Sequence, residues 1–280
     1  MKTLAVLGTG TMGAGIAQLA AQNGYDVLFW NRREASVKKG MGAVSKALDR
    51  MLSREKISSA DRDAALGRIQ GSSALEDLKR SDIVIEAVPE DRETKLEIYA
   101  RLHEFCPEDV IFATNTSSLS ITDLGRASRR AEKFIGMHFF NPVGAMKLVE
   151  IVRGLETSDA TAQAVTDLAE KLGKVGVPVQ DMPGFVVNRV VMPMINEAAY
   201  ALMQGVAEPE AIDECMKLGC NHPMGPLALA DLVGLDVVCA ILDTLYRELG
   251  HPHYKPCPLI RKRVEAGWLG TKTGRGFYSY

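Results

Sequence analysis

The amino-acid sequence predicts an α/β fold, with a doubly wound sheet in an N-terminal domain and a smaller all-helical C-terminal domain. Three observations support this. Short apolar runs alternate with helical stretches up to about residue 180, a glycine-rich turn joins the first run to the first helix, and almost every stretch beyond Pro183 has a helical pattern. We therefore expect domains at 1–182 and 183–280, joined by the linker Asp181-Met182-Pro183-Gly184.

Composition limits the classes of partner. The chain has 280 residues, 46% of them hydrophobic and 24% charged, which is ordinary for a soluble globular protein. Its net charge of -2 provides no general attraction to nucleic acid or to an anionic membrane, so we expect neither partner. No signal-peptide pattern or long apolar run is present, and this predicts a cytoplasmic protein. Five cysteines without a CxxC spacing argue against a disulfide framework and against a metal site.

The first strand, at 3–7, runs into a GxGxxG turn and then into a helix. In that context Gly8 allows a tight turn, Gly10 lets the backbone approach a pyrophosphate, and Gly13 lets the helix pack on the strand. The N–H groups that open the helix would face the phosphates. The pattern indicates a Rossmann-type domain, although a merely flexible turn is the alternative. The predicted cofactor-binding residues here are Gly8, Gly10, Thr11, Met12 and Gly13.

The second strand, at 26–30, ends at Asn31-Arg32-Arg33. NAD sites usually carry an acid at this point, which accepts hydrogen bonds from the adenosine ribose. An acid would repel a 2′-phosphate, whereas guanidinium groups can bind one through paired hydrogen bonds. We therefore expect NADP(H) to be favoured over NAD(H), with Asn31, Arg32 and Arg33 at the ribose. The alternative is that both arginines are solvated and that NAD binds without the acid.

A long helix is predicted at 34–54, and basic residues recur along one of its faces. Lys46, Arg50 and Arg54 are spaced every four residues, so they share that face. They are either the solvated side of the helix or a stripe that holds the phosphate groups of a substrate.

The next predicted strands, 81–88 and 110–113, flank a helix at 92–105. In parallel sheets ligands bind beyond the carboxyl ends of the strands. Glu90, Asn115 and Ser117 fall at those ends. The alternative for 115–118 is an ordinary polar turn that caps a helix.

A histidine and a carboxylate follow. His138 closes an apolar run, and Glu150 comes twelve residues later. Such a pair can hold an imidazole through Nδ1 and leave proton transfer to Nε2. A structural core histidine with Glu150 at the surface is the alternative, and spacing alone favours it. The nucleotide motif upstream favours the interpretation of the pair as an acid–base centre.

The remaining chain is predicted as a helix at 158–172, a last strand at 175–179, and helices at 185–203, 208–218, 225–249 and 258–266. Asn188 lies in the first turns of the helical domain, where a buried amide is costly unless it is satisfied, so it either faces a ligand or is exposed. We interpret His222 as a structural turn residue. The apolar stretches 186–194 and 227–242 predict burial against a second subunit.

These motifs resemble the L-3-hydroxyacyl-CoA dehydrogenase family, in particular its short-chain bacterial members that act on 3-hydroxybutyryl-CoA. The similar segments span nearly the whole chain in the order of the family. They are GTGTMGAGIAQ at 8–18, IEAVPED at 85–91, NTSSLSIT at 115–122, GMHFFNPVGAMKLVEIV at 136–152, PGFVVNR at 183–189, NHPMGPLALADLVGLD at 221–236 and the closing TGRGFY.

The resemblance implies a role for each matching residue. His138 would be the catalytic base and Glu150 its orienting carboxylate, while Ser117 and Asn188 would hydrogen-bond the reacting oxygen of the substrate. It also implies that Glu90 and Lys95 contact the nicotinamide end of the cofactor, with Asn115 close by, and that Arg50 and Arg54 bind the phosphates of coenzyme A. The implied substrates are acetoacetyl-CoA and (S)-3-hydroxybutyryl-CoA, and the implied assembly is a homodimer through the C-terminal helical domain.

One position departs from the family. NAD-dependent members carry an acid where this chain has Asn31-Arg32-Arg33. The resemblance therefore does not imply that this chain shares their preference for NAD.

Two other functions are compatible with a dinucleotide-binding fold of this kind. A non-catalytic dinucleotide-binding structural protein, as some lens crystallins of this family are, predicts loss of a member of the set Ser117, His138, Glu150 and Asn188, yet all are present. An NADP-dependent dehydrogenase of a non-CoA β-hydroxyacid resembles the chain at Asn31-Arg32-Arg33, but such enzymes usually rely on a catalytic lysine in the helical domain.

Overall fold

The computed structural model describes residues 1–280. The chain divides into two units, residues 1–182 and 183–280. None of the helices combines the length and the apolar character that are needed to cross a membrane.

The first unit is built on one eight-stranded sheet with the order β3-β2-β1-β4-β5-β6-β7-β8. Strand β1 lies centrally, with β2 and β3 on one side and β4 to β8 on the other, so the strand order reverses between β1 and β4. Crevices for ligands form at such reversal points. The strands are β1 (Thr3–Leu7), β2 (Asp26–Trp30), β3 (Ile69–Ser72), β4 (Ile83–Glu86), β5 (Ile111–Thr114), β6 (Phe134–Phe139), β7 (Leu148–Arg153) and β8 (Val175–Gln180).

Six α-helices accompany this sheet. They are α1 (Thr11–Gln22), α2 (Glu34–Ser53), α3 (Ser59–Gly67), α4 (Arg92–Phe105), α5 (Ile121–Ala127) and α6 (Asp159–Lys171). The central strands are mainly apolar and almost entirely buried, as expected for parallel strands covered on both faces. The predicted doubly wound α/β class is confirmed.

The sheet is parallel except at one pair, which the sequence did not predict. Strands β6 and β7 run antiparallel, with His138 directly opposite Glu150 in the register. Only residues 140–147 separate the two strands. A parallel connection needs a crossover of roughly a dozen residues or more, so this loop can only make a hairpin.

Several short elements were not predicted. They are the helices α3 and α5 and the strands β3, β6 and β7. The caps that start the two helices are local: Ser58 and Asp61 form a capping box at α3, and Ser120 accepts from the backbone of Asp123 at α5. The predicted strand at 81–88 is shorter, and the one at 110–113 is shifted to Ile111–Thr114.

The second unit is helical, as predicted. Its helices are α7 (Val187–Met203), α8 (Pro209–Cys220), α9 (Pro226–Val233), α10 (Leu235–Leu249) and α11 (Pro258–Glu265). The single helix predicted at 225–249 is wrong, because Gly234 has a φ of 102° and breaks it into α9 and α10. Two buried carboxylates brace the unit: Asp213 accepts from the backbone N–H groups that open α9, and Asp231 accepts from the backbone of Phe277 and Tyr278.

Candidate active site

The glycine-rich turn after β1 has the geometry of a dinucleotide loop. Gly8 has a φ of 97°, and a Cβ at this position would lie 2.3 Å from the Ala87 carbonyl oxygen. A Cβ at Gly13 would lie 1.8 Å from the Gly8 carbonyl oxygen, so only glycine lets α1 pack on the turn. A Cβ at Gly10 would meet nothing within 4 Å.

The N-terminus of α1 suits a phosphate. No side chain caps it, and its first turn carries no acid. The opening N–H groups of the helix, which belong to the segment of Thr11 and Met12, therefore have neither a capping oxygen nor a competing carboxylate. The open space at Gly10 leaves room for a pyrophosphate to approach the protein backbone. The residues present thus fit a dinucleotide cofactor.

The end of β2 is neutral and then basic. The Asn31 side chain bridges two segments: its Nδ2 donates to Thr9 Oγ1 over 3.2 Å, and its Oδ1 accepts from the Arg33 backbone N–H over 3.2 Å. Arg32 and Arg33 are both exposed. Asn31 therefore joins the glycine-rich turn to the start of α2, and the two guanidinium groups extend into solvent beside it.

Residues after β4 and β5 meet through one carboxylate. Glu90 Oε1 accepts from the backbone N–H groups of Ser117 and Ser118 over 2.9 and 3.1 Å, and from Ser118 Oγ over 3.0 Å. Thr116 Oγ1 also donates to this oxygen. Glu90 and Ser117, which the sequence placed at two strand ends, therefore lie in direct contact.

Asn115 connects this cluster to β6. Its Oδ1 accepts from the Phe139 backbone N–H over 2.8 Å, next to His138 in the chain. The His138 ring packs on Phe140, with ring centroids 4.5 Å apart. The ends of β5 and β6 are thereby held at one edge of the sheet.

His138 and Glu150 form a buried pair. Nδ1 lies 2.7 Å from Glu150 Oε2, and the two side chains are only 8% and 2% exposed. Because a carboxylate only accepts, the ionised Glu150 requires Nδ1–H to donate, which selects one ring tautomer. Cross-strand register sets this contact, since the two residues are opposite each other on β6 and β7.

Lys95 is a buried lysine. Its side chain is 1% exposed, and its ammonium lies within 2.9 Å of both oxygens of Glu86 and 3.2 Å from Glu90 Oε2. Glu86, at the end of β4, was not identified from the sequence. The available signal was a carboxylate inside an otherwise apolar strand, which requires a buried partner.

The remaining predicted residues belong to α2 and to the second unit. Arg50 is in the last turn of α2, Arg54 is the residue that caps it, and both are exposed, as is Lys46. Asn188 is in the first turn of α7 in the second unit and is 8% exposed.

Lys174 was also missed by sequence reasoning. Its ammonium donates to the carbonyl oxygens of Val143 and Met146 over 2.6 and 2.8 Å, and so holds the loop between β6 and β7. Burial lowers the pKa of this lysine. No local motif marks it, because its partners are backbone atoms about thirty residues away in the chain.

The fold and this cluster define a dinucleotide-dependent oxidoreductase. Residues 3–182 match the model of the 3-hydroxyacyl-CoA dehydrogenase NAD-binding domain, and residues 184–280 match the model of the C-terminal domain of that family. The chain belongs to the 3-hydroxyacyl-CoA dehydrogenase family and is an oxidoreductase that acts on CH–OH groups.

Close relatives cover the full length. A probable 3-hydroxybutyryl-CoA dehydrogenase of Bacillus subtilis is 50% identical over 280 residues, which span 100% of this chain and 98% of the relative. The 3-hydroxybutyryl-CoA dehydrogenase of Clostridioides difficile is 49% identical and is covered to 99%, as is this chain. The crystal structure of (S)-3-hydroxybutyryl-CoA dehydrogenase from Ralstonia eutropha superposes with a TM-score of 0.97 at 52% identity, over 100% of this chain and 99% of that one.

Proposed function

We propose that this protein interconverts acetoacetyl-CoA and (S)-3-hydroxybutyryl-CoA by hydride transfer with a nicotinamide dinucleotide. The observation that carries the proposal is the buried His138–Glu150 pair at 2.7 Å, beside the Asn115 and Ser117 loop. The full-length relatives named as 3-hydroxybutyryl-CoA dehydrogenases support this substrate.

The acid–base work falls to the imidazole of His138. Its Nδ1–H donates to Glu150, so the nitrogen that exchanges a proton with the C3 oxygen of the substrate is Nε2. Oxidation of the alcohol requires Nε2 to take the hydroxyl proton, and reduction of the ketone requires it to return one. Glu150 holds the ring orientation and stabilises the imidazolium. The bound nicotinamide supplies the hydride acceptor in oxidation and the donor in reduction.

Ser117 and Asn188 would bind the same oxygen. The Ser117 Oγ is within 3.5 Å of Glu90 Oε1, and the Ser117 backbone N–H donates to the same oxygen. The hydroxyl is therefore carried by a segment that is held in place. A donor held in place costs little reorganisation as negative charge develops on the oxygen. The part played by Asn188 stays a prediction from the resemblance. Glu90 and Asn115 would lie at the nicotinamide end of the cofactor.

The N-terminal unit is an NAD-binding domain, and we propose that it favours NADP(H). An uncharged Asn31 and two exposed arginines replace the acid that would exclude a 2′-phosphate. Gly8, Gly10, Thr11, Met12 and Gly13 would hold the pyrophosphate in either case.

The C-terminal unit would contribute substrate contacts and a homodimer interface. Val190, Leu232 and Val237 of its apolar stretches remain 64%, 57% and 40% exposed in the single chain. Exposed apolar side chains of this kind favour a second subunit. Sedimentation as a monomer at micromolar concentration would contradict the dimer.

The substrate prediction is tested by comparing acetoacetyl-CoA with free acetoacetate at saturating NADPH and NADH. We expect kcat/KM for acetoacetyl-CoA to be higher by at least about 10³-fold, because binding energy from the remote CoA moiety is used at the reacting carbon. Loss of nucleotide absorbance gives the rate. Comparable rates with free acetoacetate would instead support the non-CoA β-hydroxyacid dehydrogenase.

The basic face of α2 has its own test. We propose that Arg50 and Arg54 bind the CoA phosphates, so the double variant Arg50→Gln/Arg54→Gln should raise KM for acetoacetyl-CoA about tenfold and change kcat little. The substrate acetoacetyl-pantetheine, which lacks the nucleotide phosphates, provides the control, since its KM should not respond. An unchanged KM for acetoacetyl-CoA would assign the arginines to the solvated face of the helix.

A further inference from the structure

A buried ion pair lies directly beneath the candidate active site. The Lys95 ammonium on α4 is 2.7 and 2.9 Å from the two carboxylate oxygens of Glu86 at the end of β4. The side chains are 1% and 0% exposed. Glu86 also accepts from Tyr99 Oη, Thr114 Oγ1 and the Val88 backbone N–H. Both of its oxygens are therefore satisfied within the fold.

The same ammonium reaches the site above it. Lys95 Nζ lies 3.2 Å from Glu90 Oε2. An ammonium has three protons, and three carboxylate oxygens surround this one. The lysine is thus fully engaged below the surface, whereas Glu90 is 35% exposed and stands between Lys95 and solvent.

The two carboxylate oxygens of Glu90 contact different partners. Oε2 faces Lys95, and Oε1 accepts from Thr116, Ser117 and Ser118. A carboxylate that gathers this many donors must be ionised and correctly rotated, because a protonated carboxyl group would present a donor to other donors. The segment that carries Ser117 is thus held in place by the charge of Glu90.

We propose that Glu86 and Lys95 are a positioning pair, which keeps Glu90 ionised and oriented and through Glu90 sets the Ser117 segment at the nicotinamide end of the cofactor. The proposal rests on the proposed roles of Glu90 and Ser117. It assigns a function to Glu86, and it gives Lys95 an indirect part in place of the direct cofactor contact implied by the resemblance.

The electrostatics of Glu90 agree with this arrangement. Burial raises the pKa of Glu90, but the positive charge of Lys95 and the hydrogen bonds from Thr116, Ser117 and Ser118 outweigh burial, so that the pKa is lowered overall. Removal of the Lys95 charge therefore raises the pKa of Glu90 and brings its protonation toward neutral pH.

The test is a double-mutant cycle. Breaking one half of a buried pair leaves an uncompensated charge, so the pair is replaced as a unit by Glu86→Gln/Lys95→Met, which keeps the shape and removes both charges. This neutral-pair variant is combined with Glu90→Gln. The dissociation constants of NADH and NADPH, from nucleotide fluorescence, are read between about pH 8 and about pH 5, the range in which a raised glutamate pKa would appear.

We expect the neutral-pair variant to bind the tighter nucleotide about tenfold more weakly, increasingly so as the pH falls. In the Glu90→Gln background the pair substitution should weaken nucleotide binding by no more than about a further twofold, without pH dependence. The carboxylate on which the pair acts is absent from that background. The matched control is Arg92→Gln/Asp123→Asn, which neutralises a partly exposed ion pair between Arg92 of α4 and Asp123 of α5 and should leave nucleotide binding unchanged.

An equal loss of affinity in both backgrounds, or no loss in either, would overturn the proposal. If the neutral-pair variant does not fold, carboxyl ¹³C NMR of the wild-type protein decides, with the Glu90 signal assigned by its absence in Glu90→Gln. Titration below the ordinary glutamate range supports the positioning pair, and titration at or above that range overturns it. Nucleotide binding needs no acyl substrate, so failure of acetoacetyl-CoA turnover would remove the proposed function and leave this test intact.

Discussion

Replacing His138 with Gln is expected to lower kcat for acetoacetyl-CoA reduction by about 10³-fold or more, with nucleotide affinity changed by less than about twofold. Positioned general acid–base catalysis contributes about 10²–10⁴-fold, and glutamine cannot exchange a proton at neutral pH. The loss should appear in kcat and kcat/KM alike, because the proton moves only in the transition state. Steady-state kinetics and nucleotide fluorescence measure the two quantities.

Two further variants make the result specific. His253→Gln changes an exposed histidine of the second unit and should retain wild-type turnover. Glu150→Gln should lower kcat more mildly, by about 10–10²-fold, since the amide oxygen can still accept from Nδ1–H but provides no negative charge for the imidazolium. Turnover of the His138→Gln variant within tenfold of the wild type, a limit far inside the usual contribution of such a group, would remove the acid–base assignment.

The wild-type protein is expected to use NADPH with a kcat/KM at least about tenfold above that for NADH, because charge-assisted hydrogen bonds to a 2′-phosphate are strong. In Arg32→Gln/Arg33→Gln the value for NADPH should fall by about 10²-fold while the value for NADH stays within about twofold. The arginines are a cleaner target than Asn31. An aspartate there would set a carboxylate against Thr9 Oγ1, which already donates to the Ser36 carbonyl oxygen and now accepts from the Asn31 amide.

A pair with the same change of charge serves as the control. Lys79→Gln/Arg80→Gln removes two adjacent exposed cations that precede β4, at the opposite end of that strand from Glu90. This variant should change kcat/KM for neither NADPH nor NADH. Wild-type kcat/KM values that favour NADH would show that the chain binds NAD(H) without the usual acid, and the arginines would then be solvent-exposed charges with no part in cofactor choice.

Long, strongly patterned elements were predictable from sequence, and short ones were not. The helix predicted at 92–105 coincides with α4, and the strand predicted at 26–30 with β2. The short elements α3, β3 and α5 depend on single caps and on contact with neighbours, which leave little periodic signal. The break at Gly234 was missed because an isolated glycine in an apolar helical pattern does not reveal its φ.

The candidate site shows the same division. The order strand, glycine turn, helix was sufficient to predict the dinucleotide loop, because each glycine has a local steric reason. The pairing of His138 with Glu150 was ambiguous in the sequence, where a structural histidine was the stronger interpretation of spacing alone. The antiparallel hairpin places the two residues opposite each other and buries both, so Glu150 is not at the surface, and the acid–base role of the pair stays a prediction.

By itself the sequence determined the α/β class, the glycine-rich loop and the family, because these depend on residue type and local order. It also determined that the end of β2 carries an uncharged Asn31 followed by two arginines. Only the tertiary structure decided which charges meet. Lys95 is nine residues from Glu86 and five from Glu90 in the chain, and nothing in that spacing tells which carboxylate it binds. The packing of α4 on the sheet brings its ammonium between the two, because a buried charge is stable only where opposite charges and hydrogen bonds surround it.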